Sequence, residues 1–197
     1  MKLIWTGTDS LLLRKFPKQM RFIEYWYVIK IRLFARWADR KVQAHYYCGD
    51  LVKSNLRDFG MKKPIEKFID PVQYSRKLEK ISHEGFNILY YYPWNHTPFK
   101  DWIYGYDIYR DLKQRFEDTH KDINFIYVFG STNMRDIFPM IDLYIRPNRH
   151  DGHPRLIDEC IIQDIPYLHT FENPDLQHFI INIKQLYEAK HKIHLNQ

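Results

Sequence analysis

The sequence predicts an α/β chain of two small lobes, each a parallel sheet covered by helices. Three observations lead there. Short apolar runs alternate with helical patterns along the whole chain, the signature of strand–helix–strand units. A length of 197 residues suits one large domain or two small ones. Charge is divided unevenly: residues 1–85 carry 18 Lys and Arg against 9 Asp and Glu, whereas 86–197 carry 12 against 15. A basic front and a mildly acidic back suggest lobes with different partners, so we place the boundary near 81, giving lobes 1–81 and 82–197. The terminal helix is left free to cross back.

In the first lobe, Leu3 to Trp5 reads as a strand running into a turn at Thr6-Gly7-Thr8-Asp9. Residues 20–40 read as a helix, because Phe22, Trp26, Ile29, Leu33 and Trp37 recur at spacings of three and four. Val42 to Tyr47 reads as a strand. Asp50 caps a helix that Gly60 closes, and Ile65 to Ile69 is a further strand ended by Pro71. Polar residues 72–86 form the crossover.

The second lobe opens on a strand, Asn87 to Tyr92, stopped by Pro93. A loop to Lys100 leads to a helix over 102–117. Strands follow at 123–129, 142–146 and 167–169, with a short helix at 134–140, another at 155–163 and a last one over 175–189. In parallel sheets, ligands bind beyond the carboxyl ends of the strands. The loops at 6–9, 93–100, 130–133 and 147–154 are therefore the candidate positions.

Composition narrows the function. Hydrophobic residues make up 45% of the chain, enough for a core and too many for a disordered tail. Aromatics reach 17%, with 15 Tyr, which suits aromatic packing, an interfacial surface or stacking platforms. Cys48 and Cys160 form no C-x-x-C pair, so neither a disulfide framework nor a zinc signature is expected, and a reducing, cytoplasmic setting fits. No leader and no run of about 18 apolar residues is visible. The basic aromatic helix at 20–40 has two readings: an ordinary helix with its aromatic stripe in the core, or a peripheral membrane contact. Nucleic acid is disfavoured, because no recognition motif accompanies the charge.

The most informative segment runs from Arg146 to Pro166. A strand end meets a polar loop with Gly152, then a helix start, then a turn ending at Ile165-Pro166. A helix start after a glycine offers free N–H groups and the positive end of the dipole to a phosphate. Arg146, Arg149 and Arg155 add positive charge that can face a diphosphate. Asp151 and Glu159 stand eight positions apart. His150 and His153 flank the Asp-Gly pair without a third ligand in register, so no metal is expected there. His96 reads as acceptor-side or as a surface loop residue.

This segment resembles the donor-binding motif of retaining GT-B glycosyltransferases, the family 4 group, with Asp151-Gly152, Glu159 and Ile165-Pro166 at the matching positions. Trp5 to Asp9, and Gly49 to Gly60 followed by Pro64 to Pro71, resemble the first lobe of that family more weakly. The resemblance implies two small Rossmann-like lobes with a cleft between them. It also implies transfer of a sugar from a nucleotide-diphosphate donor with retention. Glu159 would then hold the ribose and Asp151 would sit near the sugar. The backbone from Gly152 through His153, Arg155 and Leu156 would contact sugar and phosphate. Lys100 matches the family's diphosphate lysine, Asp9 lies in the loop facing the cleft, and Gly130 and Ser131 fall in a further candidate donor loop. The chain departs from the pattern in having no Arg beside Lys100, Asp rather than Glu at 151, and Asp164 where a glycine is usual. No Asp-x-Asp triplet occurs, so a metal-independent enzyme with no cofactor besides its nucleotide-sugar donor is expected. The alternative is a reduced relative that binds nucleotide sugar, glycan or a partner chain without turnover. A basic membrane- or nucleic-acid-binding module is the third reading.

Overall fold

A computed structural model describes residues 2–5, 12–13, 22–47, 50–68, 76–92, 95–130, 132–151, 154–170 and 174–195. The chain divides into two compact units. Unit 1 comprises Met1–Val72 with Thr97–Lys100 and His150–Arg155; unit 2 comprises Gln73–His96, Asp101–Arg149 and Leu156–Gln197. Each is α/β with a parallel sheet, in agreement with the predicted fold class.

Unit 1 has three described strands in the order β1 (Lys2–Trp5), β2 (Ala44–Tyr47), β3 (Ile65–Lys67). Helix α1 (Phe22–Lys41) joins the first two and α2 (Asp50–Phe59) the last two. Parallel neighbours need such crossovers, because a tight turn cannot return the chain in the same direction. Trp5, Leu13, Ala35, Tyr47, Val52 and Leu56 form the core. Gly60, at φ +85°, closes α2, its N–H bonded to Arg57 O at 2.9 Å and that of Met61 to Leu56 O at 3.2 Å.

A buried relay ties the sheet to α1. The Trp5 indole donates to His45 Nδ1 at 3.1 Å. That ring nitrogen is therefore the acceptor, and Nε2–H donates to Asp39 Oδ1 at 2.9 Å. Asp39 also accepts from the backbone N–H groups of Lys62 and Lys63. Burial pushes the Asp39 carboxyl up, but these hydrogen bonds, His45's first, outweigh it and hold the group below the usual carboxylate range.

In α1 the predicted aromatic stripe is not the core. Phe22, Trp26, Ile29, Leu33 and Trp37 are exposed, while Val28, Ala35 and Ala38 are buried. The periodicity is right and the buried face is the other one. Two alanines there let the helix lie close to its neighbours, a fit that bulky aromatics would prevent.

Unit 2 has four strands in the order β5 (Ile123–Phe129), β4 (Phe86–Tyr92), β6 (Leu143–Arg146), β7 (Tyr167–His169), all parallel. Central β4 is covered on both faces, which is why it reads as a continuous apolar run. Phe86, Ile88, Tyr90 and Tyr92 pack with Leu112 and Phe116 of α4 (Tyr106–Thr119) and with Phe179, Ile180 and Ile183 of α6 (Leu176–Leu195). Leu89 faces the other way, with Met134, Phe138, Tyr144, Ile157 and Cys160. The residues at 134–140 form two 3-10 turns, and α5 (Arg155–Ile162) covers the same face. Cys160 is fully buried; burial first, and the Glu159 charge second, push its thiol up to about 12. Helix α6 is pinned at its far end by Lys190, which donates to Gly85 O at 2.9 Å and Asp142 at 2.8 Å, and by Tyr187 and His191 on Asp122.

The helix predicted over 102–117 is two helices. Short α3 (Pro98–Ile103) ends before Gly105, and α4 begins after it. Gly105 adopts φ +65°, and a Cβ there would lie 2.0 Å from the carbonyl oxygen of Pro147. Only glycine allows both the left-handed backbone and the close approach.

Candidate functional site at the carboxyl edge of the second sheet

The order β5-β4-β6-β7 contains a reversal. From β4 the chain goes out to β5, then returns to the other side of β4 for β6. Such a switch point opens a crevice beyond the carboxyl ends of the two strands that flank it. In unit 2 those ends are Tyr92 and Arg146, and the chain leaves them into the segments 93–97 and 147–149.

The root of the segment after β6 is fixed by the helix break. Pro147 packs on Gly105. The N–H of Arg149 donates to Ile103 O at 2.9 Å. Its guanidinium donates to Trp102 O at 2.7 Å and to both carboxylate oxygens of Asp107, at 2.8 and 2.6 Å. Asn148 between them is buried. Arg149, read in sequence as a charge facing a diphosphate, therefore anchors the loop to α3 and α4. Arg146 donates to the Tyr144 hydroxyl at 3.0 Å.

Burial raises the Asp107 carboxyl, but the Arg149 hydrogen bonds and charge, with nearby backbone N–H groups, outweigh it and hold it below the usual range. A depressed folded pKa means that the stabilisation is complete above about pH 4 and is lost as pH falls through the folded value. Solvent screens this half-exposed pair, so the effect is small. Melting curves of the native chain and Asp107→Asn should differ near pH 7 and converge near about pH 2. A difference that stays constant with pH would show that the carboxylate charge contributes nothing.

After Arg149 the chain enters α5 at Arg155. Glu159 lies at the end of the first helical turn and is only 3% exposed. Leu156, one position into α5, is half-buried. Gly130 follows β5 at φ +67°, with its carbonyl accepting from the Tyr91 hydroxyl at 2.7 Å. Thr170, directly after β7, has a buried Oγ1 with no hydrogen-bond partner among the described residues. Buried Asp151, exposed Arg155 and half-buried Lys100 fall in the segments grouped with unit 1. His150, in the same group, lies 3.4 Å from Asn55. The expected residues Asp9, Ser131, Gly152 and His153 lie outside the described residues, as does Cys48.

A second cluster sits at the ends of β4 and β5, around His96, for which the sequence allows an acceptor-side or a surface-loop reading. His96 Nδ1 is 2.6 Å from Asp101 Oδ1, which also accepts from the Tyr92 hydroxyl at 2.9 Å. His96 Nε2 is 2.9 Å from the Tyr127 hydroxyl. The carboxylate can only accept, so Nδ1–H donates to Asp101 and Nε2 faces the Tyr127 hydroxyl. Burial foremost pushes the Tyr127 hydroxyl up to about 12, so it keeps its proton to donate. The rings form a stack: Tyr92 on His96 at 4.3 Å and 21°, Tyr92 on Phe129 at 6.1 Å and 7°. Phe129 remains 44% exposed, leaving a flat aromatic surface. The signal was present in His96 and Asp101, five apart across the α3 start, but the third member, Tyr127, comes from another strand.

No protein-family model matches the chain, and no curated protein matches it. Among solved structures it is similar to a chain of "Crystal structure of GtfA/B complex", with 13% identity and a TM-score of 0.44 over 74% of this chain and 33% of that one. The chain thus spans about a third of the length of that neighbour. An open groove lined by Glu117, His120, Lys121 and Asn124 lies at the amino end of β5, away from the carboxyl edge. Among the described residues no group of three or more His, Cys, Asp or Glu is placed to hold a metal ion.

Proposed function

We propose that the chain is a glycosyltransferase of the GT-B type that binds a nucleotide-diphosphate sugar through unit 2 and transfers the sugar with retention, without a metal. The observation that carries this reading is Glu159, a carboxylate 3% exposed at the end of the first turn of α5, in the helix that follows β6 at the switch point. A carboxylate held there suits a diol, since its two oxygens can each accept one hydroxyl proton. The exposed and nearly parallel rings of His96 and Phe129, backed by buried Tyr92, offer a flat surface for a nucleobase. Thr170 Oγ1 supplies an unused donor at the same edge. The roles of Asp151, Lys100, Arg155 and the loop backbone, and of Asp9 on the acceptor side, are carried over from the sequence resemblance.

The test is a thermal-shift series with uridine, guanosine and adenosine diphosphates and their sugars, with and without EDTA. A ligand present at about a hundred times its Kd should stabilise by about 2.7 kcal/mol and raise the melting temperature by several degrees, with or without EDTA. No shift with any nucleotide would end the reading. A shift without sugar release or transfer would favour the second reading, a relative that binds without turnover. The three-stranded sheet described in unit 1 is the observation behind it.

A further inference from the structure

Helix α1 turns an apolar face outward. Phe22 is 80% exposed, Leu33 61%, Trp26 56% and Trp37 50%, with Ile29 also exposed. At about 100° per residue these five positions share one narrow arc, opposite buried Val28, Ala35 and Ala38. From 22 to 37 the stripe is about 22 Å long. Monomeric proteins seldom expose so continuous an apolar surface without a use for it.

The charges around the stripe indicate what covers it. Exposed Arg36 borders one side, exposed Lys30 and Lys41 border the other, and Arg40 lies at its carboxyl end. Arg36 also lies over the Phe59 ring, 5.9 Å from its centroid. Neither acidic position of the helix, Glu24 or Asp39, falls in that arc, and Asp39 is held by His45, Lys62 and Lys63. A second copy of the same face would set these cations against each other. A nucleic-acid backbone would meet the cations but leave the indoles and Leu33 in water. An anionic bilayer surface matches both parts, with headgroups for Lys and Arg and the acyl boundary for Trp, Phe and Leu. Among the described residues no helix is long and apolar enough to cross a membrane, so the contact would be a lateral one.

We propose that the outward face of α1 docks on anionic lipid. It is independent of the nucleotide-sugar reading, because it involves α1 alone. Co-sedimentation of the full chain with vesicles tests it. The chain should pellet with phosphatidylcholine vesicles containing about 30% phosphatidylglycerol and stay in solution with phosphatidylcholine alone. Binding should weaken at least about tenfold as salt screens the headgroups, and tryptophan emission should move to the blue on binding. Trp26→Ser with Trp37→Ser, and Lys30→Glu with Arg40→Glu, change exposed positions, and circular dichroism checks that both variants fold. Each pair should weaken pelleting more than about tenfold. Three results would overturn the proposal: equal pelleting with both vesicle types, or none; a dimer that the Trp pair dissociates, which gives the face to a second copy; or salt-sensitive DNA binding without vesicle binding.

Discussion

Gly105→Ala is expected to destabilise unit 2 by about 2–4 kcal/mol, the sum of two separate penalties. The left-handed backbone costs any side chain about 1 kcal/mol. The new Cβ would also sit 2.0 Å from the Pro147 carbonyl oxygen and 2.8 Å from its carbon. Those are backbone atoms, so relief needs a shift of the segment that Arg149 pins, which adds about 1–3 kcal/mol. Gly60→Ala is the internal control. Gly60 also has a positive φ, but nothing lies within 4 Å of the point where its Cβ would stand, so only the backbone penalty should appear. Urea denaturation of both variants should therefore separate them by about 2 kcal/mol. Equal losses would mean that the approach of Pro147 is not tight in solution. Because Gly105 and Arg149 hold the same loop root, the alanine variant should also weaken any ligand bound there.

Glu159→Gln should lower affinity for the donor nucleotide at least about a hundredfold, by removing the charge from two hydrogen bonds to the ribose diol. The amide nearly matches the carboxylate in size, so packing around the buried side chain is kept and one hydroxyl can still be accepted. The readout is the nucleotide-dependent rise in melting temperature, with the ligand-free value as the control for folding. Deoxyribose nucleotides sharpen the test. They should bind the native chain weakly and the variant equally weakly, because the group that distinguishes the sugars is the one removed. Unchanged affinity in the variant would take the ribose away from Glu159.

The sequence was most legible where both sides of a segment obey one rule. β4 reads as a strand because both its faces are buried, and α5 reads as a helix because loop, charge and apolar spacing agree. It was less legible at α1, where period gives the stripe but not which face meets the sheet; Val28, Ala35 and Ala38 are too small to outweigh Trp26 and Trp37 in any reading by hydrophobicity. The break at Gly105 was hidden because its cause, Pro147, lies 42 positions later. The site divides the same way. Glu159 stands out from local pattern, whereas the hydrogen bond between His96 and Tyr127 joins residues 31 apart and exists only once β4 and β5 pair.

Cys160 makes the second sheet its own chemical clock. Its thiol is buried behind Leu89, Tyr144 and Ile157 and raised to about 12, so near neutrality almost none of it is the reactive thiolate. A thiol reagent can reach it only when the layer between α5 and the strands parts, and the labelling rate then counts openings rather than surface encounters. With Cys48 replaced by serine, that rate would report how firmly the switch-point region stays closed, and a bound nucleotide would be seen as a slower clock.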